Sequence, residues 1–141
     1  MPRVSSAVAQ LLSVRPRGHA VDISPKKRVL FVCTQNKFRS VTAEHLYRGR
    51  AELEVRSAGV GVDARVPLTA ELLEWADEVY VFERRQRNII HKRFRELYEK
   101  KSIVCLYVPD EFEFMSPDLV AILTEKLERY LGKPVYENHE V

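Results

Sequence analysis

The chain has only two cysteines in 141 residues, and neither lies in a paired motif. This argues against a disulfide scaffold and for a reducing compartment, read here as the cytoplasm. No apolar run approaches the length of a bilayer span, so no membrane segment or membrane partner is expected. His45 and His91 have no second His or Cys at metal-ligand spacing, and neither metal nor cofactor is expected. Internal repeats and low-complexity tracts are absent, which removes repeat architectures. Excess charge is scarce as well. The formal net charge is +3, and residues 1–26, with Arg3, Arg15, Arg17 and Lys26 against Asp22, hold all of it. The remainder is neutral, so the basic isoelectric point is poor support for a nucleic-acid-binding face.

What is present is a 45% hydrophobic, 30% charged chain, enough for one soluble domain with a real core. Residues 1–26 read as an N-terminal extension, flexible or loosely docked. Residues 27–141 read as an α/β domain. Apolar runs Val29–Val32, Leu53–Ser57, Glu78–Phe82 and Ser102–Val108 have strand length and β-branched content. Between them, helical periodicity covers a first helix from Ser40, a short one over Leu68–Ala76 and a long one over Arg84–Lys101. Ser116 and Pro117 open a last helix that runs to Leu131 and stops at Gly132. Strand and helix alternate four times, which predicts a parallel sheet covered by helices on both faces.

The most informative stretch is Val29-Leu30-Phe31-Val32-Cys33-Thr34-Gln35-Asn36-Lys37-Phe38-Arg39-Ser40. It reads as a buried strand, a tight loop, and a helix that starts at the serine, a residue type that favours helix N-caps. Successive backbone N–H groups in such a turn, together with the helix dipole, make an anion site. Arg39 adds a planar fork that can grip two phosphoryl oxygens, which a lysine cannot do. Cys33 lies on the floor of that positive field, where the thiolate nucleophile is favoured. Asn36 tolerates the left-handed backbone that a tight loop needs, and the Ser40 hydroxyl can hydrogen-bond a thiolate.

At Val32, Cys33, Asn36, Arg39 and Ser40 the sequence resembles the low-molecular-weight protein tyrosine phosphatase family, whose signature is V-C-x-x-N-x-x-R-S. The resemblance continues through Ala43-Glu44, Arg56-Ser57-Ala58-Gly59 and Val108-Pro109-Asp110, and covers roughly Lys27 to Leu131. It implies a flavodoxin-like four-stranded parallel sheet in the order 2-1-3-4, with the Cys33 loop, Glu83 and the loop around Asp110 at one edge. It also implies a cysteine-dependent phosphomonoester hydrolase that works through a cysteinyl-phosphate and needs no metal. Cys33, Arg39 and Asp110 would be catalytic, and Thr34, Gln35, Asn36, Lys37, Phe38 and Ser40 would bind substrate. The partner would be a phosphorylated protein or a small phosphate ester.

Several positions depart from the family pattern. Thr34 and Gln35 replace an apolar residue and a glycine, and Phe38 stands where a second cysteine is common. The span from Gly59 to Trp75 is short, and Glu83-Arg84-Arg85-Gln86 matches loosely. Asp110 is followed by Glu111-Phe112-Glu113-Phe114, so the choice of acid stays open among Asp110, Glu111 and Glu113. Phe112 and Phe114 fit either an aromatic wall or core packing. The arginine-rich helix from Arg84 reads as a solvated face, with a polyanionic partner such as a nucleic-acid end as the alternative. Cys105 reads as inert core. The rival functions are a phosphate- or nucleic-acid-end-binding module without turnover, and, further off, an arsenate reductase.

Overall fold

A computed structural model describes residues 25–136; the N-terminal extension lies outside them except for Pro25 and Lys26. Four strands form one parallel sheet in the order β2-β1-β3-β4, with β1 Lys27–Cys33, β2 Leu53–Gly59, β3 Glu78–Val81 and β4 Ser102–Cys105. The sheet order expected from the resemblance is the order found. Helix α1 (Arg39–Tyr47) follows β1, α2 (Ala70–Trp75) follows β2, α3 (Arg84–Arg93) and α4 (Arg95–Lys100) follow β3, and α5 (Pro117–Leu131) closes the domain.

Side-chain alternation along β1 divides the core in two. Val29, Phe31 and Cys33 face α1 and α5 together with Tyr47, Tyr80, Phe82, Leu119, Leu123 and Leu127. Leu30 and Val32 face the other way, with Val79, Val81, Leu73 and Ile90. Residues 29–33 of β1 are buried on both faces, as the continuous apolar run requires. Each large aliphatic or aromatic side chain enclosed here contributes roughly 1.5–3 kcal/mol. On the second face, Trp75 at the end of α2 carries the Arg56 guanidinium 4.3 Å above its ring. Among the described residues, no helix is long and apolar enough to cross a membrane.

The last helix begins and ends as expected: the Ser116 hydroxyl accepts from the Leu119 amide, Pro117 follows, and Gly132 stops it at φ 79°. Several element ends shift by one or two residues, and three differences have a clear local cause. The long helix after β3 is broken at Phe94, whose backbone leaves the helical region (φ −129°, ψ 56°) while its side chain packs on the second core cluster. Strand β4 ends at Cys105 because Tyr107 turns into the left-handed region (φ 58°); Leu106 and Val108 still donate to Val81 and Phe82. Helix α1 begins at Arg39, not Ser40, and Phe38 occupies the cap without a side-chain hydrogen bond. The Ser40 hydroxyl is engaged elsewhere, on the Cys33 sulfur.

Two buried tyrosines set an alkaline limit on stability. The Tyr47 hydroxyl donates to the Gly132 carbonyl at 2.8 Å, and burial pushes its pKa up to about 12. Burial, reinforced by a hydrogen bond to Glu78, raises Tyr80 as well. A raised folded-state pKa means that the unfolded chain ionises first, so this stability is intact below pH 10 and is lost as pH rises beyond it. Denaturant unfolding should show Tyr47 costing roughly 2–3 kcal/mol by pH 12. Tyr47→Phe should have a shallower decline above pH 10 than the wild type; parallel declines would exclude this origin.

Candidate active site

Strand β1 lies between β2 and β3, so the winding of the sheet reverses beside it and a crevice opens past its C-terminal end. Cys33 is the last residue of β1 and is buried. From Thr34 to Phe38 the chain wraps around the sulfur before α1 begins. The carbonyls of this loop are held from outside: Cys33 O accepts from the Val60 amide (3.0 Å), Thr34 O from Gly61 (2.8 Å) and Gln35 O from Arg65 (3.0 Å). Asn36 O accepts from Arg65 Nε at 3.1 Å. In a trans peptide, N–H and C=O point opposite ways. Outward carbonyls therefore turn the amides of residues 34–37 inward, as an anion nest requires. Gly59 makes the outer contact possible, since a Cβ there would stand 2.4 Å from Thr34 O.

One of those inward amides is already used. The Asn36 N–H donates to Cys33 Sγ at 3.2 Å, with Asn36 itself fully buried at φ 59°. Its side-chain Nδ2 donates to Ser40 Oγ at 2.7 Å and to Ser57 Oγ at 3.0 Å. Ser40 Oγ lies 3.0 Å from Cys33 Sγ. Asn36 and Ser40 thus lie behind the sulfur rather than in the cavity, where they shape the loop. Asn36 Oδ1 is buried and has no hydrogen-bond partner among the described residues.

Arg39 leaves the first turn of α1 and is 2% exposed. Its Nη1 donates to Glu83 Oε2 and to the Val108 carbonyl, both at 2.9 Å, and its Nη2 lies 3.8 Å from Asp110 Oδ2. A buried guanidinium needs such partners, because an unpaired one would cost several kcal/mol. The consequence is positional: the fork is aimed across the mouth of the loop. A cavity of about 180 Å³ there is lined by Cys33, Gln35, Lys37, Phe38, Arg39 and Asp110.

The structure thus brings six of the nine expected site residues to one cavity, and sorts the others. Thr34 turns toward α3, where its hydroxyl accepts from Gln86 Nε2 at 3.1 Å. Of the three candidate acids only Asp110 lines the cavity; Glu111 and Glu113 are exposed and do not. Phe112 packs against the core and exposed Phe114 contacts the His45 ring, so neither walls this cavity. Cys105 meets the core reading in part, since it packs against the second core cluster. It is half-buried on the edge strand and borders a larger cleft of about 430 Å³ shared with Tyr107, Glu125 and Arg129. The arginine-rich helix is largely exposed, as a solvated face should be, although Arg85 and Arg93 reach Thr34 Oγ1 and the Val60 carbonyl at 3.5 and 3.4 Å.

Three supporting residues are named in the sequence pattern but given no role there. Gln86, fully buried, accepts from the Phe82 and Glu83 amides while donating to Thr34. Its signal was the Glu83…Gln86 spacing that opens α3. Ser57 lies on the same face of β2 as Val55, so strand alternation alone would have placed its hydroxyl inside. Glu44 accepts from that hydroxyl at 2.5 Å, and only its occurrence in a helical turn facing β2 could have hinted at it.

A four-stranded parallel sheet in this order, with a buried cysteine and arginine on the loop at its switch point, defines an α/β protein of the flavodoxin-like type. Residues 28–139 match the family model described as low molecular weight phosphotyrosine protein phosphatase, and the chain belongs to that family. Curated protein sequences give no match. Among solved structures, a YwlE mutant from Bacillus subtilis is 28% identical, with 76% of this chain and 95% of that one covered at a TM-score of 0.54. A mutant of the YwlE arginine phosphatase with a phosphorylated active-site serine is 29% identical, covering 74% and 91% at 0.56. The Escherichia coli K30 tyrosine phosphatase Wzb, in complex with phosphate, is 20% identical with 75% and 96% covered at 0.63; this last likeness is one of fold.

Proposed function

We propose that the protein is a cysteine-dependent phosphatase that acts through a cysteinyl-phosphate. Cys33 Sγ attacks phosphorus in line, while the inward amides of Thr34, Gln35 and Lys37 and the Arg39 fork hold the equatorial oxygens. Asp110 gives its proton to the leaving atom, and the Asp110 carboxylate then takes a proton from the water that cleaves the S–P bond. The observation that carries this reading is the convergence of Cys33, Arg39 and Asp110 on one cavity. Substrate binding displaces the Arg39–Asp110 contact, the longest of the three that hold the guanidinium, and frees both groups for their roles. Phe38, 41% exposed at the rim, gives an aryl phosphate such as phosphotyrosine one ring to lie against.

Similarity to both tyrosine and arginine phosphatases puts two substrate kinds in the first assay, phosphotyrosine and phosphoarginine peptides. The acid is tested separately. Asp110→Asn should lower kcat/KM, which reports the phosphoryl-transfer step alone, on phenyl phosphate by roughly 10²- to 10⁴-fold, since phenolate is a poor leaving group. On p-nitrophenyl phosphate, whose leaving group departs without a proton, the loss should be far smaller. Equal losses on both would take the acid role away from Asp110. Saturable phosphate binding by folded wild type with no turnover on any of these substrates would instead make the protein a phosphate-binding module.

A further inference from the structure

Helix α3 and the residues just after it form the most one-sided stretch of charge in the chain. Residues 84–95 include Arg84, Arg85, Arg87, Lys92, Arg93 and Arg95 and no acid. The domain from residue 27 onward is neutral overall, so these cations are gathered in one place rather than spread. Helix geometry sorts them into rows. Arg84 and Lys92 share one row, with Asn88 between them; Arg85 and Arg93 share the neighbouring row, with Ile89 between them. All four cations are exposed, and at 1.5 Å per residue the stripe they make is about 12 Å long.

This stripe does not serve the helix that carries it. Arg84 and Arg85 stand in the first turn of α3, where the helix dipole disfavours a cation. Arg84 and Lys92 make no ion pair or side-chain hydrogen bond among the described residues, and of the six cations only Arg85 pairs with an acid, Glu83 at 3.5 Å. That acid joins the stripe to the catalytic cavity. Glu83 Oε1 faces Arg85, while its Oε2 accepts from Arg39 Nη1 at 2.9 Å. Arg85 also reaches Thr34 Oγ1 at 3.5 Å, and Arg93, at the far end of the stripe, reaches the Val60 carbonyl at 3.4 Å. The cations therefore start one carboxylate away from the phosphoryl-facing fork and lead off along α3.

The surface chemistry selects among polyanions. A single-stranded nucleic acid is held by aromatic faces between the cations, and an anionic bilayer by exposed apolar anchors; none of the exposed large hydrophobic side chains among the described residues belongs to α3. An extended acidic peptide needs neither, and at 3.3 Å per residue about four of its residues match the stripe. We propose that α3 is a docking surface for an acidic segment of a phosphorylated protein, which lies along Arg84, Arg85, Lys92 and Arg93 while the phosphorylated residue beside it occupies the Cys33 cavity. This rests on the phosphatase reading in that the cavity takes the phosphoryl group, but it concerns binding and not turnover.

The test is the affinity of fluorescein-labelled phosphotyrosine peptides for full-length Cys33→Ala protein, which cannot turn them over, read by fluorescence anisotropy. Two peptides differ only in carrying a run of glutamates or a run of glutamines beside the phosphotyrosine. The acidic peptide should bind roughly tenfold tighter at low salt, several exposed charge pairs acting together, and its advantage should shrink as salt rises toward about 0.5 M. Arg84→Gln with Lys92→Gln should cut the advantage to about threefold or less. Arg84→Lys with Lys92→Arg should keep it, because the stripe supplies charge and not a fork. Residues 1–26, which are also basic, are present throughout and contribute equally to every variant. With Cys33 intact, both double variants should hydrolyse p-nitrophenyl phosphate, too small to reach α3, as the wild type does. Equal affinities for the two peptides, no affinity for either, or an advantage that survives the Gln substitutions would overturn the proposal. So would a single-stranded oligonucleotide that binds more tightly than the acidic peptide and loses its affinity with the same substitutions. A wild type that hydrolyses nothing would sink the phosphatase reading, while this comparison, made without turnover, still decided the docking.

Discussion

Cys33→Ser is expected to lower hydrolysis of p-nitrophenyl phosphate by on the order of 10⁴-fold or more, and to remove the transient phosphoenzyme that forms and decays with turnover in rapidly quenched wild type. The size of the effect follows from chemistry rather than from packing. A serine hydroxyl is nearly isosteric with the thiol, and the Asn36 amide and Ser40 can still hydrogen-bond it. A hydroxyl, unlike a thiol, stays protonated at neutral pH, so the attacking anion is missing. Binding should survive, because the amide nest and Arg39 are untouched. The expected pattern is therefore phosphate affinity close to that of wild type with turnover gone. More than about one per cent residual activity would place the nucleophile elsewhere.

Arg39→Lys should be the second largest effect, roughly 10²- to 10³-fold in kcat/KM. Nη1 of Arg39 bonds Glu83 and the Val108 carbonyl, and Nη2 approaches Asp110. An ammonium is a single point charge on a thinner stem. It can hold Glu83, or reach toward the phosphoryl oxygens, but cannot do both with the same geometry. The transition state, with charge spread over three equatorial oxygens, loses a bidentate partner. Substrate binding should weaken less than kcat falls, since positive charge remains. Activity within tenfold of wild type would show that the amide nest alone holds the phosphoryl group.

Much of this site could be read from the sequence because its spacing is local. Cys33, Asn36, Arg39 and Ser40 all belong to one strand-loop-helix passage, and a short loop leaves few ways to arrange them. The alternation of strands and helices likewise carried the sheet, while its order came from the family resemblance. The parts that did not show in the sequence depend on distant partners. Ser40 looks like a cap because serine usually is one, yet its hydroxyl is drawn to sulfur and Phe38 takes the cap position. Phe94 lies in an unbroken helical period, with no glycine or proline to announce the break between α3 and α4. Glu44 and Ser57 are thirteen residues apart and on different elements; only the packing of α1 on β2 joins them. Asp110 separated itself from Glu111 and Glu113 only once the backbone after β4 had a direction.

The stack of Arg56 on Trp75 has a practical side. The chain has a single tryptophan, so its emission has one source. The ring is held by β2 one residue from Ser57, but on the sheet face opposite the sulfur. Fluorescence from Trp75 is consequently an intrinsic gauge of whether α2 stays seated on the sheet. It can certify each variant discussed above as folded, without a label and without consuming the reactive thiol.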